Sequence, residues 1–216
     1  MKNQKNISLK DSVYKQIVEM ITTGELSADA IITESQMIEH FQVSKSPVRE
    51  ALIQLCHDDI LTVIPRCGYQ IVRITPQRIR DLIEMRLYLE LSSLPKVMEH
   101  MTPERLACLK ELNRERQNIV KTLWNAWNNN IRFHTMLVSF GDNQLVTNTV
   151  EHTLNTCLRA YVQLYNLRGS VITPNSENYH DVVTRALEEH NVFAAYEYLK
   201  KDILFMEQEL LKADII

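Results

Sequence analysis

The sequence predicts a mainly α protein: an N-terminal winged helix-turn-helix with a small β-hairpin, then a C-terminal antiparallel all-α helical bundle. Three observations predict it. Residues 9–57 hold three short segments with apolar side chains at helical spacing. Residues 60–73 are β-branched and alternating on either side of a Pro-Arg-Cys-Gly turn. Beyond Pro76 the long segments keep a helical period and none reads as a strand.

The first helix is expected from about Leu9 to Thr23, with Val13, Ile17, Val18 and Ile21 on one face. Thr33-Glu34-Ser35-Gln36 has capping-box form, because a hydroxyl residue is followed three places later by Gln. It opens a second helix whose apolar face is Met37, Ile38 and Phe41. A brief turn at Gln42-Val43-Ser44 leads to the third. There Ser44 is placed to cap with its hydroxyl, and Pro47 fits a first turn where its missing N–H costs nothing. Val48, Ala51, Leu52 and Leu55 dock that helix, and Arg49 stands in its opening turns. Ile60–Ile64 and Tyr69–Arg73 then pair as a hairpin through Pro65-Arg66-Cys67-Gly68. Arg66 at the tip would meet phosphate or the minor groove, and Gly68 supplies permissive backbone.

Pro76 marks a boundary, with Thr75 able to cap the next helix, so domains are expected at 1–75 and 76–216. The first bundle helix carries Ile79, Leu82, Ile83, Arg86, Leu87 and Glu90. Further helices are expected near 103–120, 122–140, 144–165, 176–189 and 192–212, with a polar loop through 168–175.

Composition limits the function classes. The chain has 216 residues, a formal net charge of -3 and only four glycines. That charge argues against a bulk nucleic-acid coater, which is commonly basic, and leaves room for a reader with a few cations on one face. Lys10, Lys15, Lys45, Arg49, Arg66 and Arg73 are candidates for that face. No apolar run approaches a membrane span, and the N-terminus lacks the apolar region of a secretory signal. Cys56, Cys67, Cys108 and Cys157 form no close pairs and read as reduced thiols of a cytoplasmic protein.

Residues 9–75 resemble the DNA-binding domain of the GntR family of bacterial transcription regulators. The resemblance rests on Val-Ser-Lys-Ser-Pro-Val-Arg-Glu-Ala-Leu at 43–52 and on Gly68. It implies that Lys45 and Arg49 read bases or phosphates with Ser44 and Ser46 as polar partners. It also implies that Gly68 lets the wing backbone approach the minor groove. Three positions depart from the family pattern. Ser35 stands where many members have Arg, Gln42 where many have Gly, and Lys45 where Arg is commoner. Lys in place of Arg exchanges a bidentate fork for a point charge.

The remainder resembles the helical effector-binding domain of the fatty-acid-regulator branch of the same family. Arg86 with Glu90 matches its Arg-x-x-x-Glu signature, and Phe133-His134 with Gly141-Asp142-Asn143 matches a second one. That branch often holds a divalent metal on one Asp and three His. The corresponding residues here are Asn130, His134, His180 and Asp202, so two ligand types are changed. Three readings stay open: a divalent metal site for zinc, nickel or manganese, a metal-free polar pocket, or two buried and satisfied histidines. Arg86, His134, His180 and Tyr161 are the residues expected to meet a small organic acid effector.

Other features read as ordinary structure. Leu123, Trp124 and Trp127 suit core or interface, Asn128 and Asn129 a solvated face, and His152 and His190 the surface. The whole reads as a homodimeric, effector-responsive transcription regulator, a repressor by the family's commoner mode, on a palindromic double-stranded DNA operator with half-sites one helical turn apart. The competing classes are a metal-dependent hydrolase and a ligand-independent architectural DNA-binding protein.

Overall fold

The computed structural model describes residues 8–118, 123–168 and 178–211. The chain divides into two compact units, with the main boundary between Ile74 and Thr75.

In the first unit, α1 (Leu9–Thr22) begins at Ser8, whose hydroxyl accepts from the Asp11 amide. It buries Val13, Ile17 and Ile21, one turn apart in succession, against α3. The strand β1 (Ile31–Ile32) leads directly into α2 (Glu34–Phe41). The capping box at its start is complete: the Thr33 hydroxyl accepts from the Gln36 amide, and the Gln36 side chain accepts from the Thr33 amide. Helix α3 (Lys45–His57) turns Val48, Ala51, Leu52 and Leu55 into the core, all fully buried. Ser44 occupies its N-cap position, but its hydroxyl makes no capping bond, contrary to expectation.

The hairpin β2 (Leu61–Ile64) and β3 (Gly68–Ile71) pairs Val63 with Tyr69 and Leu61 with Ile71. The sequence reading missed β1, which adds to the other edge of β3 and makes a three-stranded antiparallel sheet in the order β1-β3-β2. Two residues are too few to show an alternating pattern. This strand also gives Gly68 a structural job. Its φ is +135°, and a Cβ built there would lie 2.4 Å from the Ile32 carbonyl oxygen. The close approach to β1 therefore demands glycine by itself, independently of any approach to DNA.

In the second unit, α4 (Pro76–Arg86) starts at Thr75, whose hydroxyl accepts from the Arg78 amide. The helix widens into a π turn at Leu87–Leu91 before continuing as α5 (Ser92–Glu99). Pro95 lies inside α5 and lacks the amide that would bond back to the Leu91 carbonyl, so the ladder is interrupted where the turn is wide. Then come α6 (Pro103–Asn118), α7 (Leu123–Ser139), α8 (Gln144–Arg168), α9 (Tyr179–Glu188) and α10 (Val192–Leu211). No strand occurs in this unit among the described residues. The expected loop through 169–175 lies outside the described residues.

Helix α10 packs along α9, α4 and α5, and α6 packs on α7 and α9. Fully buried Ile83, Leu94, Phe133, Leu154, Leu199 and Ile203 fill the interior. Asn143 in the Gly-Asp-Asn turn caps α8 through its side chain, which accepts from the Val146 amide. Asn129 corrects an expectation. It is buried, and its amide donates to the Leu112 carbonyl at 2.9 Å, pinning α7 to α6.

Two substitutions in the first unit should move stability in opposite directions. Gln42 closes α2 with a left-handed φ of 53°, a conformation that costs a side-chain-bearing residue about 1 kcal/mol. Gln42→Gly should therefore raise the unfolding temperature of the intact chain, and Gly68→Ala should lower it through collision with Ile32. Differential scanning calorimetry checks both signs.

Candidate functional site

In the first unit, the opening turns of α3 leave Lys45, Ser46 and Arg49 exposed on the side opposite the buried stripe. Lys45 and Arg49 side chains are 68% and 62% exposed, open enough to meet a large ligand. Ser35 is exposed on the first turn of α2, and Ser44 is exposed just before α3. Arg66 stands exposed at the hairpin tip, with a left-handed φ of 67°. The Ser46 hydroxyl donates to Glu50 at 2.7 Å.

Glu34 draws these pieces together. One carboxylate oxygen lies 3.8 Å from the Lys45 ammonium, the other lies 3.9 Å from Arg49 Nε, and the Tyr69 hydroxyl donates to it at 3.3 Å. The starts of α2, α3 and β3 thus converge on one carboxylate. Sequence reasoning missed Glu34 and Tyr69, because an acid in a first helical turn is already explained by the helix dipole. Arg73, expected on the cationic face, is instead committed to an ion pair with Asp29.

In the second unit, five ionisable side chains from α4, its π turn, α7, α9 and α10 meet in the interior. Arg86 Nε donates to Glu90 at 2.6 Å, and both side chains are fully buried. The other Glu90 oxygen lies 2.6 Å from His134 Nδ1. On the far side of that ring, Nε2 lies 2.9 Å from Asp202 Oδ2. His180 Nε2 lies 3.7 Å from the same oxygen. The His180 ring stacks on Phe133 with centroids 3.9 Å apart and planes 6° apart.

Protonation follows from this geometry. Burial alone would raise the Glu90 carboxyl, but Arg86 and His134 hold it down at about 2. Glu90 is therefore an acceptor only, and the proton between it and His134 sits on Nδ1. That leaves His134 Nε2 as the atom facing Asp202. Burial opposes a charge on His134, but the neighbouring Glu90 and Asp202 carboxylates raise it above the ordinary histidine value. Burial pushes His180 down to about 4, so it is a neutral imidazole. Burial likewise works against the Asp202 carboxylate, and contacts with the two histidines nevertheless hold it well below its usual range.

The donor set fits a divalent cation. His134, His180 and Asp202 each offer one ligand atom, and these atoms lie within 4.8 Å of one another. The 2.9 Å approach of Nε2 to Oδ2 lacks hydrogen-bond alignment, as if both atoms faced a third point. His180 Nδ1 and the Asn130 amide nitrogen are buried and have no hydrogen-bond partner among the described residues. Asn130 lies one turn before His134 on the same face of α7. Of the expected effector residues, Arg86 is locked onto Glu90, while Tyr161 packs edge-on against Trp127 at 5.1 Å. The side chains of Leu123 and Trp124 lie outside the described residues.

Two family models match the chain: "Bacterial regulatory proteins, gntR family" over residues 9–71, and "FCD domain" over residues 81–204. The chain belongs to the gntR family of bacterial regulatory proteins and carries an FCD domain. Among gntR relatives, the HTH-type transcriptional regulator YdhC of Bacillus subtilis is 30% identical over 145 residues, covering 64% of this chain and 63% of that protein. The gluconate operon transcriptional repressor of the same organism is 34% identical over 70 residues, 32% of this chain and 28% of that protein. The chain thus matches less than two thirds of the length of either. A putative GntR regulator from Rhodococcus sp. RHA1 shares the fold, with a TM-score of 0.76, 20% identity, and coverage of 94% of this chain and 98% of that one. The families and relatives are transcriptional regulators and not enzymes, which sets the hydrolase alternative aside. No described helix is long and apolar enough to cross a membrane.

The buried ion pair makes a sharp prediction. Glu90→Leu leaves Arg86 without its carboxylate, so it should destabilise the second unit by about 3–5 kcal/mol. Both tryptophans lie on α7, so their fluorescence during urea unfolding reports this unit.

Proposed function

We propose that this chain is a sequence-specific, effector-responsive transcription regulator, most simply a repressor, that binds a palindromic double-stranded DNA operator as a homodimer in the cytoplasm. Residues 1–75 serve as the DNA-binding domain and 76–216 as the effector-binding and dimerisation domain. The observation that carries the reading is the exposed start of α3, with Lys45, Ser46 and Arg49 beside the hairpin. A helix of this kind enters the major groove N-terminal end first. Arg49 presents a fork that suits the O6 and N7 acceptors of guanine, and Lys45 reaches a base edge or phosphate as a point charge. Ser35, Ser44 and Ser46 supply shorter polar contacts, and Arg66 on the wing meets the backbone or minor groove. Gly68 contributes by holding the wing against β1.

In the second unit His134, His180 and Asp202, with Asn130 as a neutral fourth donor, would hold a divalent metal. Imidazole and carboxylate donors suit zinc, nickel or manganese. When bound, the metal supplies a positive centre for the carboxylate of a small organic acid. Glu90 fixes the His134 ring and its tautomer, as a carboxylate behind a ligating histidine does. The effector would act by favouring one of two arrangements that differ in DNA affinity. The gluconate operon repressor supports repression as the mode, by relationship alone.

The first test selects binding sites from a randomised duplex pool with the wild-type protein, then compares variants on the recovered sequence. Arg49→Ala should lower operator affinity by about 1–3 kcal/mol with the fold intact. Retained affinity removes Arg49 from the interface. For the second unit, elemental mass spectrometry of untagged protein should find about one metal per chain. His134→Ala should lose it and blunt the response to carboxylic acids, while basal DNA binding is spared.

A further inference from the structure

We propose that Glu34 is a specificity-determining residue that acts as an internal competitor for the phosphate backbone. The inference rests on the DNA-binding reading above.

The two cations assigned to reading DNA are not free in the chain without DNA. Glu34 lies 3.8 Å from Lys45 and 3.9 Å from Arg49, and it is the acid that reaches both. Glu50, the other carboxylate on this face, is bonded to Ser46 at 2.7 Å. Glu34 is itself held by the Tyr69 hydroxyl from the wing, so it has an anchor outside its own helix. Its side chain is 27% exposed, so its charge is not fully screened by water where DNA would arrive.

A phosphate approaching Lys45 or Arg49 meets this carboxylate at the same cations. Two anions then share one pair of cations, and like charges at short range disfavour the encounter. Random-sequence DNA offers mainly phosphate contacts, so it bears this cost without recompense. A matched operator also presents base-edge acceptors to the same side chains, and these carry no formal charge, so they repel Glu34 far less than a phosphate does. The carboxylate therefore weakens indiscriminate binding more than specific binding. At distances near 4 Å the pairs are loose, so the cations can leave Glu34 when an operator is present.

The test uses full-length wild type and Glu34→Gln with two probes. One is a random-sequence duplex of about 30 base pairs, and the other is the sequence that wild type selects from a randomised pool. Binding is measured by fluorescence anisotropy between roughly 50 and 200 mM salt. Glu34→Gln should bind the random duplex roughly threefold or more tighter. Its salt dependence should steepen by about one unit of slope, because an extra cation is free to neutralise phosphate. The ratio of operator to random affinity should fall. In a background that also carries Lys45→Gln, the gain on random DNA should shrink, since one of the competed cations is gone. Unchanged random-duplex affinity and slope, with matching thermal melts, overturn the role of Glu34 and leave the DNA-binding reading standing. An equal gain with and without Lys45 also overturns it. A wild-type protein that binds neither probe overturns the DNA-binding reading and this inference with it.

Discussion

Glu90 is the residue on which the second unit turns. It sits between a guanidinium and an imidazole, all three fully buried, and each of its two oxygens has one partner at 2.6 Å. Removing a charge from water is costly, and the cost is recovered only when every partner is present. Arg86 and Glu90 come from one helix and its wide turn, His134 from α7. Asp202 from α10 and His180 from α9 extend the chain of contacts. The site and the packing of these helices are therefore one object. A helix that shifted would strand a buried charge, which keeps the side chains of His134, His180 and Asp202 converged.

The first unit uses the same chemistry in the opposite regime. Glu34 also faces two cations, but at nearly 4 Å and at the surface. The effective dielectric separates the two cases. A pair inside the protein is strong and permanent, whereas one at the edge of water is worth little and is easily exchanged. Under the proposed function, permanence would suit a centre that holds its geometry for a small ligand. Exchangeability would suit side chains that release one anion to take another.

Much of this was legible from residues alone, wherever local chemistry decides local structure. The capping box at Thr33 and Gln36, the stripe from Val48 to Leu55, the turn of the hairpin at Pro65-Arg66-Cys67-Gly68 and the cap at Thr75 all follow from neighbours within four positions. Three features were not legible, each for a physical reason. The strand Ile31–Ile32 is too short to carry a period, and its partner β3 lies more than thirty residues on. Asn129 looked solvated within an Asn run, because nothing local shows that it faces the Leu112 carbonyl. Glu34 was hidden by being a good first-turn residue in its own right. The residues of the buried site were named from resemblance and spacing, but the bridge from Glu90 to His134 spans 44 positions and has no sequence signature.

The π turn at Leu87–Leu91 places Glu90 within a stretch that holds one residue more than an α-helical turn would. One residue corresponds to about 100° of rotation around a helix axis. The buried centre is thus encoded partly as a residue count. Deleting Leu87 or Leu89 would leave every ionisable side chain in the chain intact and let the turn close to ordinary α-helix, but it would cut the spacing of Arg86 and Glu90 from four positions to three and so break the alignment of their ion pair. Length, and not only composition, is what mutation must preserve here.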